Sequence, residues 1–409
     1  MKNFGILYRY ELKKLLKRKL SWVIMLLPCV ACVFATVRAS TGGGIVYQDV
    51  LDEDGNPVVI TGKELREQRR NAAGSKLNGR VMDDAFFQEM LESVPDFVRR
   101  GARSEEEVYK INQYFRTVDG AWSHPYFMAE GLLRDTGTVT EEIFYAAWQE
   151  QTQSYLDHYA EGSLSEGEKD YWRAQMDQIE RPFIYRYCWP GTAPLMDFFY
   201  TLLGLLPIAA AVCVCSIFSE DRRTRMDALV FSARESRFPL YLAKVLAGAA
   251  MSVLVGVVIV GMTVAAHLAV WGWKGLDASL QMWQICVPRP ITVGEMLVPM
   301  LLLLVLYTLA YGGVAMLASA LTRSAIVGLV APVLLLQAID RFHPLPYGWK
   351  GYLPDKLMGW DGPTNMQLVS AFGVYLDNFQ FGMLLYLGIA AVLLALCWLG
   401  WRRSAVGKA

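Results

Sequence analysis

The feature that most constrains the fold of this chain is a series of long stretches almost free of charged side chains. Six of them lie at residues 20–38, 195–218, 245–273, 296–321, 324–340 and 378–401. A helix needs about 20 predominantly apolar residues to cross a bilayer core of about 30 Å. The stretches therefore predict an α-helical polytopic membrane protein with six transmembrane helices.

Two of the six stretches need separate comment. The uncharged part of the fifth, 324–339, would give a helix of only about 24 Å. We expect it either to cross where the bilayer is thin or to be a re-entrant element buried among its neighbours. The first, 20–38, is interpreted as a transmembrane helix and not a signal peptide, because patterned sequence precedes it and no clean cleavage site follows.

Composition excludes several classes of function. The chain is 54% hydrophobic and 19% charged, below the roughly 25% charged residues of soluble proteins, which argues against a cytosolic enzyme. Its 39 Lys and Arg residues equal its 39 Asp and Glu residues, so it lacks the basic surface that nucleic acid requires. The chain is also too apolar for a disordered scaffold.

The distribution of positive charge predicts the orientation. The N-terminal segment, the segment after the second stretch, the turn after the fourth stretch and the C-terminal tail together carry 17 Lys and Arg residues. The alternate short loops carry 5. Because Lys and Arg accumulate on the cytoplasmic side, both termini are predicted to be cytoplasmic, and residues 39–194 to lie outside.

The segment 39–194 is long enough to fold as an extracytoplasmic domain. It carries 16 Lys and Arg residues against 27 Asp and Glu residues. Alternating sequence around the turn residues 54–56 predicts one β-hairpin, and helices are expected to dominate afterwards. Three pairs have the spacing of a helix capping box: Ser104 with Glu107, Thr138 with Glu141, and Ser165 with Glu168.

The predicted helix after Thr138 carries an aromatic face. Phe144, Trp148, Tyr155 and Tyr159 recur at helical spacing. Such a face is either ordinary core or a surface that contacts an amphipathic substrate or partner.

Motifs for catalysis or for binding metals and cofactors are missing from the sequence. The segment that comes closest to a phosphate-binding loop motif is 61–64, and it lacks the first Gly and the hydroxyl residue of that motif. The four histidines do not have metal-ligand spacing. His267 lies inside the third stretch, where it makes either a hydrogen bond between helices or a proton or substrate contact. Cys188 and Cys286 both fall outside the membrane, which leaves a disulfide between them open.

The N-terminal segment 1–19 has the pattern of a basic amphipathic helix. Arg9, Lys13 and Lys17 repeat every four residues, while apolar side chains occupy another side. Such a helix lies in the membrane plane with its basic residues at anionic lipid headgroups, unless it is only a positively charged anchor.

The segment 219–244, between the second and third stretches, predicts a short cytoplasmic helix. Met226, Leu229 and Val230 can share one face of it, with charged residues on both flanks. A helix of this kind either inserts its apolar face into a soluble partner or is a solvated connector.

This order of elements resembles the membrane subunit of type-2 ATP-binding cassette exporters. In that family the second span ends in a Glu. A short motif rich in Leu and Glu follows, and then come a hydroxyl residue, an Arg and, at the start of the third span, a Lys. The matching residues here are Glu220, Met226, Asp227, Leu229, Ser232, Arg237 and Lys244. The family's Gly-Thr pair is replaced by Thr224 and Arg225, a departure that affects the local turn.

The resemblance implies a permease subunit of the bacterial plasma membrane that exports a lipid, peptide or drug-like molecule. It would pair with itself or with a second permease subunit, and ATP would be hydrolysed by a separate ATPase subunit. The residues implied to contact that ATPase are Glu220, Met226, Asp227, Leu229, Val230, Arg234 and Arg237. Spans two and five would form the dimer face, with Gly204 and Gly328 as sites of close packing. The outer segment 341–377 would contain short re-entrant helices.

Three other functions compete with the exporter. A mechanotransmission protein linked to an ATPase usually has four spans. A polytopic membrane enzyme needs a cluster of catalytic residues at the membrane face. A receptor that sequesters a ligand outside the cell would not need the segment 219–244. The identity of the substrate is not encoded in any pattern that we recognise.

Overall fold

The structure, a computed structural model, describes residues 4–40, 46–51, 57–61, 64, 78–93, 124–159, 162–220, 237–341, 348–371 and 373–406. Its helices are α1 (Phe4–Leu16), α2 (Lys19–Ser40), α3 (Asp84–Ser93), α4 (His124–Thr136), α5 (Glu141–His158), α6 (Glu166–Met176), α7 (Trp189–Val214), α8 (Arg237–Trp271), α9 (Val293–Thr322), α10 (Ala325–Arg341), α11 (Asp361–Thr364) and α12 (Asn378–Val406). Its strands are β1 (Val46–Leu51), β2 (Pro57–Thr61), β3 (Leu368–Ala371) and β4 (Val374–Asp377). Short 3₁₀ helices lie at Leu280–Met282, Gly348–Tyr352 and Pro354–Leu357.

Helices long and apolar enough to cross a membrane dominate the described part of the chain. Five meet this description: Lys19–Arg38, Leu195–Val214, Phe238–Trp271, Val293–Thr322 and Asn378–Arg402. The prediction of a helical, multi-pass membrane protein is confirmed. The fifth predicted span is also a helix, α10, but it has only 17 residues, or about 25 Å.

Helix α9 lies at the centre of the bundle. It packs against α7, α8, α10 and α12, and it is the most buried of the five long helices. Small residues allow close approach, because a Cβ added to Gly256 of α8 would lie 3.3 Å from the Cα of Val305 in α9. Close packing of this kind holds helices together in a membrane. Burying an apolar side chain between helices gains little there, because the lipid tails around it are equally apolar.

A tight turn joins α9 to α10. Only Arg323 and Ser324 separate the two helices, and Arg323 ends α9 in the left-handed conformation, with φ 56°. Its amide donates to the Ser319 carbonyl at 2.8 Å. Across the pair, a Cβ on Gly328 would lie 3.0 Å from the Ala315 carbonyl oxygen, so Gly328 is a site of close packing within this chain.

Helix α8 begins eight residues before the predicted start of the third span. It starts at Arg237 and continues through Lys244, which the sequence analysis placed in the connecting segment. The reason is that Lys244 is paired with Glu11 and completely buried. Because Glu11 neutralises its charge, Lys244 can lie within the buried part of α8. In the sequence alone, a lysine at this point resembles the end of a transmembrane helix.

Helices α3 to α6 and the hairpin of β1 and β2 lie between α2 and α7 in the chain. The predicted hairpin is confirmed, since β1 pairs antiparallel with β2, from Val46 opposite Thr61 to Leu51 opposite Pro57. The core of the helical region is aromatic: Phe86, Phe87, Phe144 and Trp148 are fully buried.

Of the three predicted helix caps, one is confirmed, one is wrong and one lies outside the described residues. Ser165 and Glu168 form a complete capping box at α6, as predicted. The prediction for Thr138 is wrong, because Thr140 caps α5 and accepts a hydrogen bond from the Ile143 amide at 3.3 Å. Thr138 instead lies in the turn before α5, where its carbonyl accepts a hydrogen bond from the Thr136 hydroxyl at 2.8 Å. Ser104 and Glu107 lie outside the described residues.

The aromatic face of α5 connects the outer helices to the loops at the end of the bundle. Phe144 and Trp148 are core residues, which confirms the first interpretation for them. Trp148 also donates to the Ile285 carbonyl at 2.8 Å, and Tyr155 donates to that of Thr364 at 2.8 Å. Part of this face therefore binds the chain's own loops.

The segment between α10 and α12 is more structured than predicted. It contains two 3₁₀ helices, α11 and a second hairpin, β3 with β4, which the sequence analysis did not predict. Gly373 has φ 80° at the turn of this hairpin, a conformation that favours glycine.

Candidate functional site

Six polar residues meet where α1, the end of α7 and the beginning of α8 come together. We call them the junction cluster: Glu11, Lys14, Arg18, Ser216, Glu220 and Lys244. The cluster lies at both boundaries of the segment 221–236, because α7 leads into that segment and α8 follows it.

The buried half of the junction cluster is an ion pair between α1 and α8. The Nζ atom of Lys244 lies 2.9 Å from Oε1 of Glu11, with 0% of the lysine side chain and 6% of the glutamate side chain exposed. Lys244 also donates to the Ile217 carbonyl at 3.4 Å. Removing either partner would leave the other charge buried, so the pair fixes α1 on α8.

The more exposed half of the cluster surrounds Glu220. Its carboxylate forms ion pairs with Arg18 and with Lys14, whose Nζ lies 3.2 Å away. Arg18 also donates to the hydroxyl of Ser216. Because the Glu220 side chain is only 15% exposed, these contacts are screened less than those of an ordinary surface pair.

Helical spacing places the cluster on one side of α1. Glu11 and its neighbours Lys14 and Leu15, three and four residues further on, share one side of α1, where Leu15 is buried, and Arg18 follows just beyond the end of the helix. Arg9, Lys13 and Lys17 are exposed on another side, together with the apolar side chains of Ile6 and Tyr10, so that side is not purely basic. Whether the basic side lies on lipid headgroups stays a prediction.

The other residues predicted to contact an ATPase are mostly outside the described part. Met226, Asp227, Leu229, Val230 and Arg234 belong to the segment 221–236, of whose structure nothing is described. Arg237 is the first residue of α8, and its side chain is not described either. Glu220 is the one residue of this set whose side chain the structure describes, and it contacts α1 of its own chain.

Sequence reasoning missed Glu11 and Ser216. A signal for Glu11 existed, because it stands four residues from both Leu7 and Leu15 and is the one acidic residue in α1. An acidic side chain among apolar ones on a basic helix indicates a buried cationic partner. Ser216 carries no such signal, since hydroxyl residues are common near helix ends.

A second buried ionic site lies at the other end of the bundle. Arg289 donates to Oδ2 of Asp377 at 2.8 Å, to Oδ1 of Asn378 at 2.7 Å and to the Asn365 carbonyl at 3.0 Å. Its guanidinium also lies 4.7 Å from the ring centroid of Trp172 in α6. Burial lowers the pKa of Arg289, and the charge of Asp377 opposes that shift. Arg289 therefore connects the outer helices with the start of α12.

His267, Cys188 and Cys286, which the sequence analysis singled out, all lie in the described part of the chain. His267 of α8 is buried, and its Nδ1 lies 3.1 Å from the Thr263 carbonyl and 3.3 Å from the hydroxyl of Thr36 in α2, a contact between helices. The structure shows no disulfide between Cys188 and Cys286, and burial raises the pKa of the Cys188 thiol to about 12. In the described residues no group of three or more His, Cys, Asp and Glu side chains could hold a metal ion.

Comparison with known proteins adds no family assignment: no protein-family model, characterised protein or solved structure matches this chain significantly. The function has to be inferred from the chain's own residues.

Proposed function

We propose that this chain is the permease subunit of a type-2 ATP-binding cassette exporter. It works in a dimer, with itself or with a second permease subunit, and it binds a separate ATPase subunit through the segment 221–236. Its cargo is a lipid, peptide or drug-like molecule that leaves across a bacterial plasma membrane. The single observation that carries this proposal is the junction cluster, which holds both boundaries of that segment on one helix.

The junction cluster suits mechanical coupling. Glu220 precedes the segment 221–236, Lys244 lies at the second turn of the helix that follows it, and both pair with α1. A force applied to the segment by a closing partner would therefore move the end of α7, the start of α8 and α1 together. Because α8 has 35 residues, its displacement reaches the opposite end of the bundle.

The proposed topology has six spans, with α10 as the fifth and the described part of the domain 39–194 outside. Two observations support it: the excess of Lys and Arg in one set of connecting segments and the close packing of α10 against α9 at Gly328. Both termini are then cytoplasmic. A protease added to right-side-out vesicles should leave a tag at either terminus intact, and cleavage of one tag alone would contradict an even number of spans.

Affinity purification in mild detergent tests the ATPase partner. The tagged chain should retain an ATPase subunit in stoichiometric amount, and Arg234→Glu should reduce that amount without reducing insertion into the membrane. Arg402→Glu is the matched control, because it makes the same charge change at an exposed residue at the end of α12. A wild-type chain that purifies without any nucleotide-binding partner would contradict the proposal, as would equal losses in both variants.

A further inference from the structure

A cleft of about 370 Å³ lies between the segment that joins α6 to α7 and the segment that leads from α8 into the first turn of α9. Its volume is within the range of sites for small ligands, about 300–1,000 Å³. In the topology proposed above, both segments lie outside the cytoplasm. We call it the interloop cleft, and the residues on which the inference depends are Glu180, Pro182, Ile184, Arg186, Asp277 and Glu295.

One wall of the interloop cleft is the open edge of a short pair of extended segments. Ile184 lies opposite Val81 in an antiparallel bridge. Hydrogen bonds flank this bridge on both sides, at the Phe183 carbonyl and at the Tyr185 amide, each 2.8 Å long. Because the bonds belong to the flanking residues, the amide and carbonyl of Ile184 itself point away from Val81.

The neighbouring residues alternate in the same way. Residues 183, 185 and 187 bond to the segment 78–82 through their backbone groups. The residues that alternate with them face the opposite edge, and these are Pro182, Ile184 and Arg186. All three line the interloop cleft, and their backbone groups make no backbone hydrogen bond within the described part of the chain. An unpaired edge of this kind is a template for another extended chain.

The lining of the interloop cleft is negatively charged. It contains three carboxylates and one guanidinium, and Arg186 is paired with Asp277. Glu295 accepts hydrogen bonds from the amide and the hydroxyl of Thr292, at 2.8 and 3.0 Å, and neither bond neutralises its charge. Glu180 is exposed. Within the described residues, neither Glu180 nor Glu295 has a cationic partner, so the cleft favours a ligand with positive charge.

Arg181 follows Glu180 in the chain but does not line the cleft. Its guanidinium lies 5.5 Å from the ring centroid of Trp148, a fully buried residue of α5. The side chain of Ile184 is 44% exposed and adds an apolar contact beside the open edge. The cleft therefore offers backbone groups, negative charge and an apolar side chain together.

We propose that the interloop cleft binds a basic peptide in extended conformation, which adds a strand to the edge at Ile184. The peptide backbone pairs with the open amides and carbonyls of residues 182–186, and its Lys or Arg side chains pair with Glu180 and Glu295. An acidic peptide would be repelled by the same two carboxylates. Binding itself is independent of the ATPase, whereas a role for the peptide as cargo rests on the function proposed above.

Ile184→Pro blocks the open edge and keeps the bridge. It removes the outward amide of residue 184 but neither hydrogen bond that flanks the bridge, since both belong to neighbouring residues. Val81→Pro is the matched control, because it makes the same change at the bridge partner, whose backbone groups point to the opposite edge. Val81 is exposed to nearly the same extent, 42%, and it does not line the interloop cleft.

The test is fluorescence anisotropy with the purified full-length chain and a fluorescein-labelled peptide of five residues that alternates valine and lysine. We expect saturable binding. Ile184→Pro should weaken it at least about tenfold, and Val81→Pro should leave it unchanged. Equal affinities of the two variants, or no saturable binding to the wild-type chain, would overturn the proposal.

Two altered peptides test the same site on the wild-type chain, so their result does not depend on the folding of a variant. Methylation of every peptide amide should abolish binding, because no donor remains for strand pairing. Replacing lysine by glutamate in the peptide should weaken binding at least about tenfold. Unchanged binding of either altered peptide would contradict the proposal.

A charge reversal in the cleft tests the recognition of the basic side chains. Glu180→Lys should weaken binding of the lysine peptide by about fivefold. Glu150→Lys, the same change at an exposed position of α5 outside the cleft, should not weaken it, and equal effects of the two reversals would contradict the role of Glu180. Because these measurements use the chain without ATPase, a chain that binds the peptide but has no ATPase partner would contradict the exporter and not this site.

Discussion

Lys244, eight residues into α8, is neutralised by Glu11, which precedes it by 233 positions in the chain. The pair joins the first helix of the protein to the helix that follows the segment 221–236. With 0% of the lysine side chain and 6% of the glutamate side chain exposed, it is the most buried ion pair of the junction cluster.

The first prediction concerns Glu11 itself. Glu11→Gln removes the carboxylate that pairs with the buried Lys244, which should destabilise the chain by about 3–5 kcal/mol. The measurement is the midpoint of thermal unfolding in detergent, which should fall by several degrees. Lys13→Gln, an exposed position on the same helix, should have no measurable effect. The double variant Glu11→Leu with Lys244→Met should recover most of the loss, and a double variant as unstable as Glu11→Gln would argue against this interpretation.

The second prediction separates two roles of Glu220. If Glu220 acts by holding α1, then Glu220→Gln and the double variant Lys14→Gln with Arg18→Gln break the same ion pairs and should reduce copurification of the ATPase to the same extent. We expect this result, because the contacts of Glu220 within the chain are already formed. A loss in Glu220→Gln alone would show instead that the carboxylate contacts the partner directly.

The third prediction concerns Arg289. Arg289→Lys keeps the positive charge, but a lysine cannot reach Asp377, Asn378 and Asn365 together with the planar geometry of a guanidinium. The variant should lose about 2–4 kcal/mol and expose the outer loops to limited proteolysis. The control is Lys274→Arg, the reverse exchange at an exposed position of the same connecting segment, which should have no effect. Unchanged proteolysis of Arg289→Lys would contradict the role of Arg289 in joining the outer helices to α12.

The fourth prediction is a pH dependence. Burial raises the pKa of Tyr145, whose hydroxyl accepts from the Phe183 amide at 2.6 Å and donates to the Met82 carbonyl at 3.3 Å. A raised pKa in the folded chain means that this group stabilises the fold below its unfolded pKa of about 10 and loses that contribution as pH rises through the folded pKa.

Tyr145→Phe should therefore cost about 1–2 kcal/mol at pH 8, from the lost hydrogen bonds. The difference from the wild-type chain should shrink as the pH is raised above about 10. Stability measured at pH 8 and above pH 10 checks this, and Tyr10→Phe, at an exposed position of α1, should leave the stability at pH 8 unchanged. A constant difference between Tyr145→Phe and the wild-type chain would contradict the prediction.

Local patterns predicted the parts of this fold that depend on neighbouring residues. The interval of four residues between Arg9, Lys13 and Lys17 was enough to assign the exposed side of α1. The spacing of Ser165 and Glu168 was enough to locate the start of α6. In both cases the determining contacts lie within one turn of a helix, so the sequence alone contains them.

Contacts between distant segments were not predictable in the same way. The start of α8 was placed eight residues too late because Lys244 finds its counterion in Glu11, and nothing near Lys244 in the sequence reveals that. A cavity between α7, α9 and α10 is lined by Tyr200, Tyr307 and Leu336 among others, and no periodicity of a single helix indicates that these side chains share one space. Thr138 was chosen over Thr140 because two hydroxyl residues compete within one short turn.

The turn at Arg323 and Ser324 also bears on how the protein is made. With only these two residues between them, α9 and α10 emerge from the ribosome almost as one unit and leave no loop long enough for separate handling by the insertion machinery. In the proposed six-span topology, the short α10 would then enter the bilayer as the second arm of a helical hairpin, after the longer and more apolar α9. The orientation of everything that follows, α12 included, would be decided when α9 inserts.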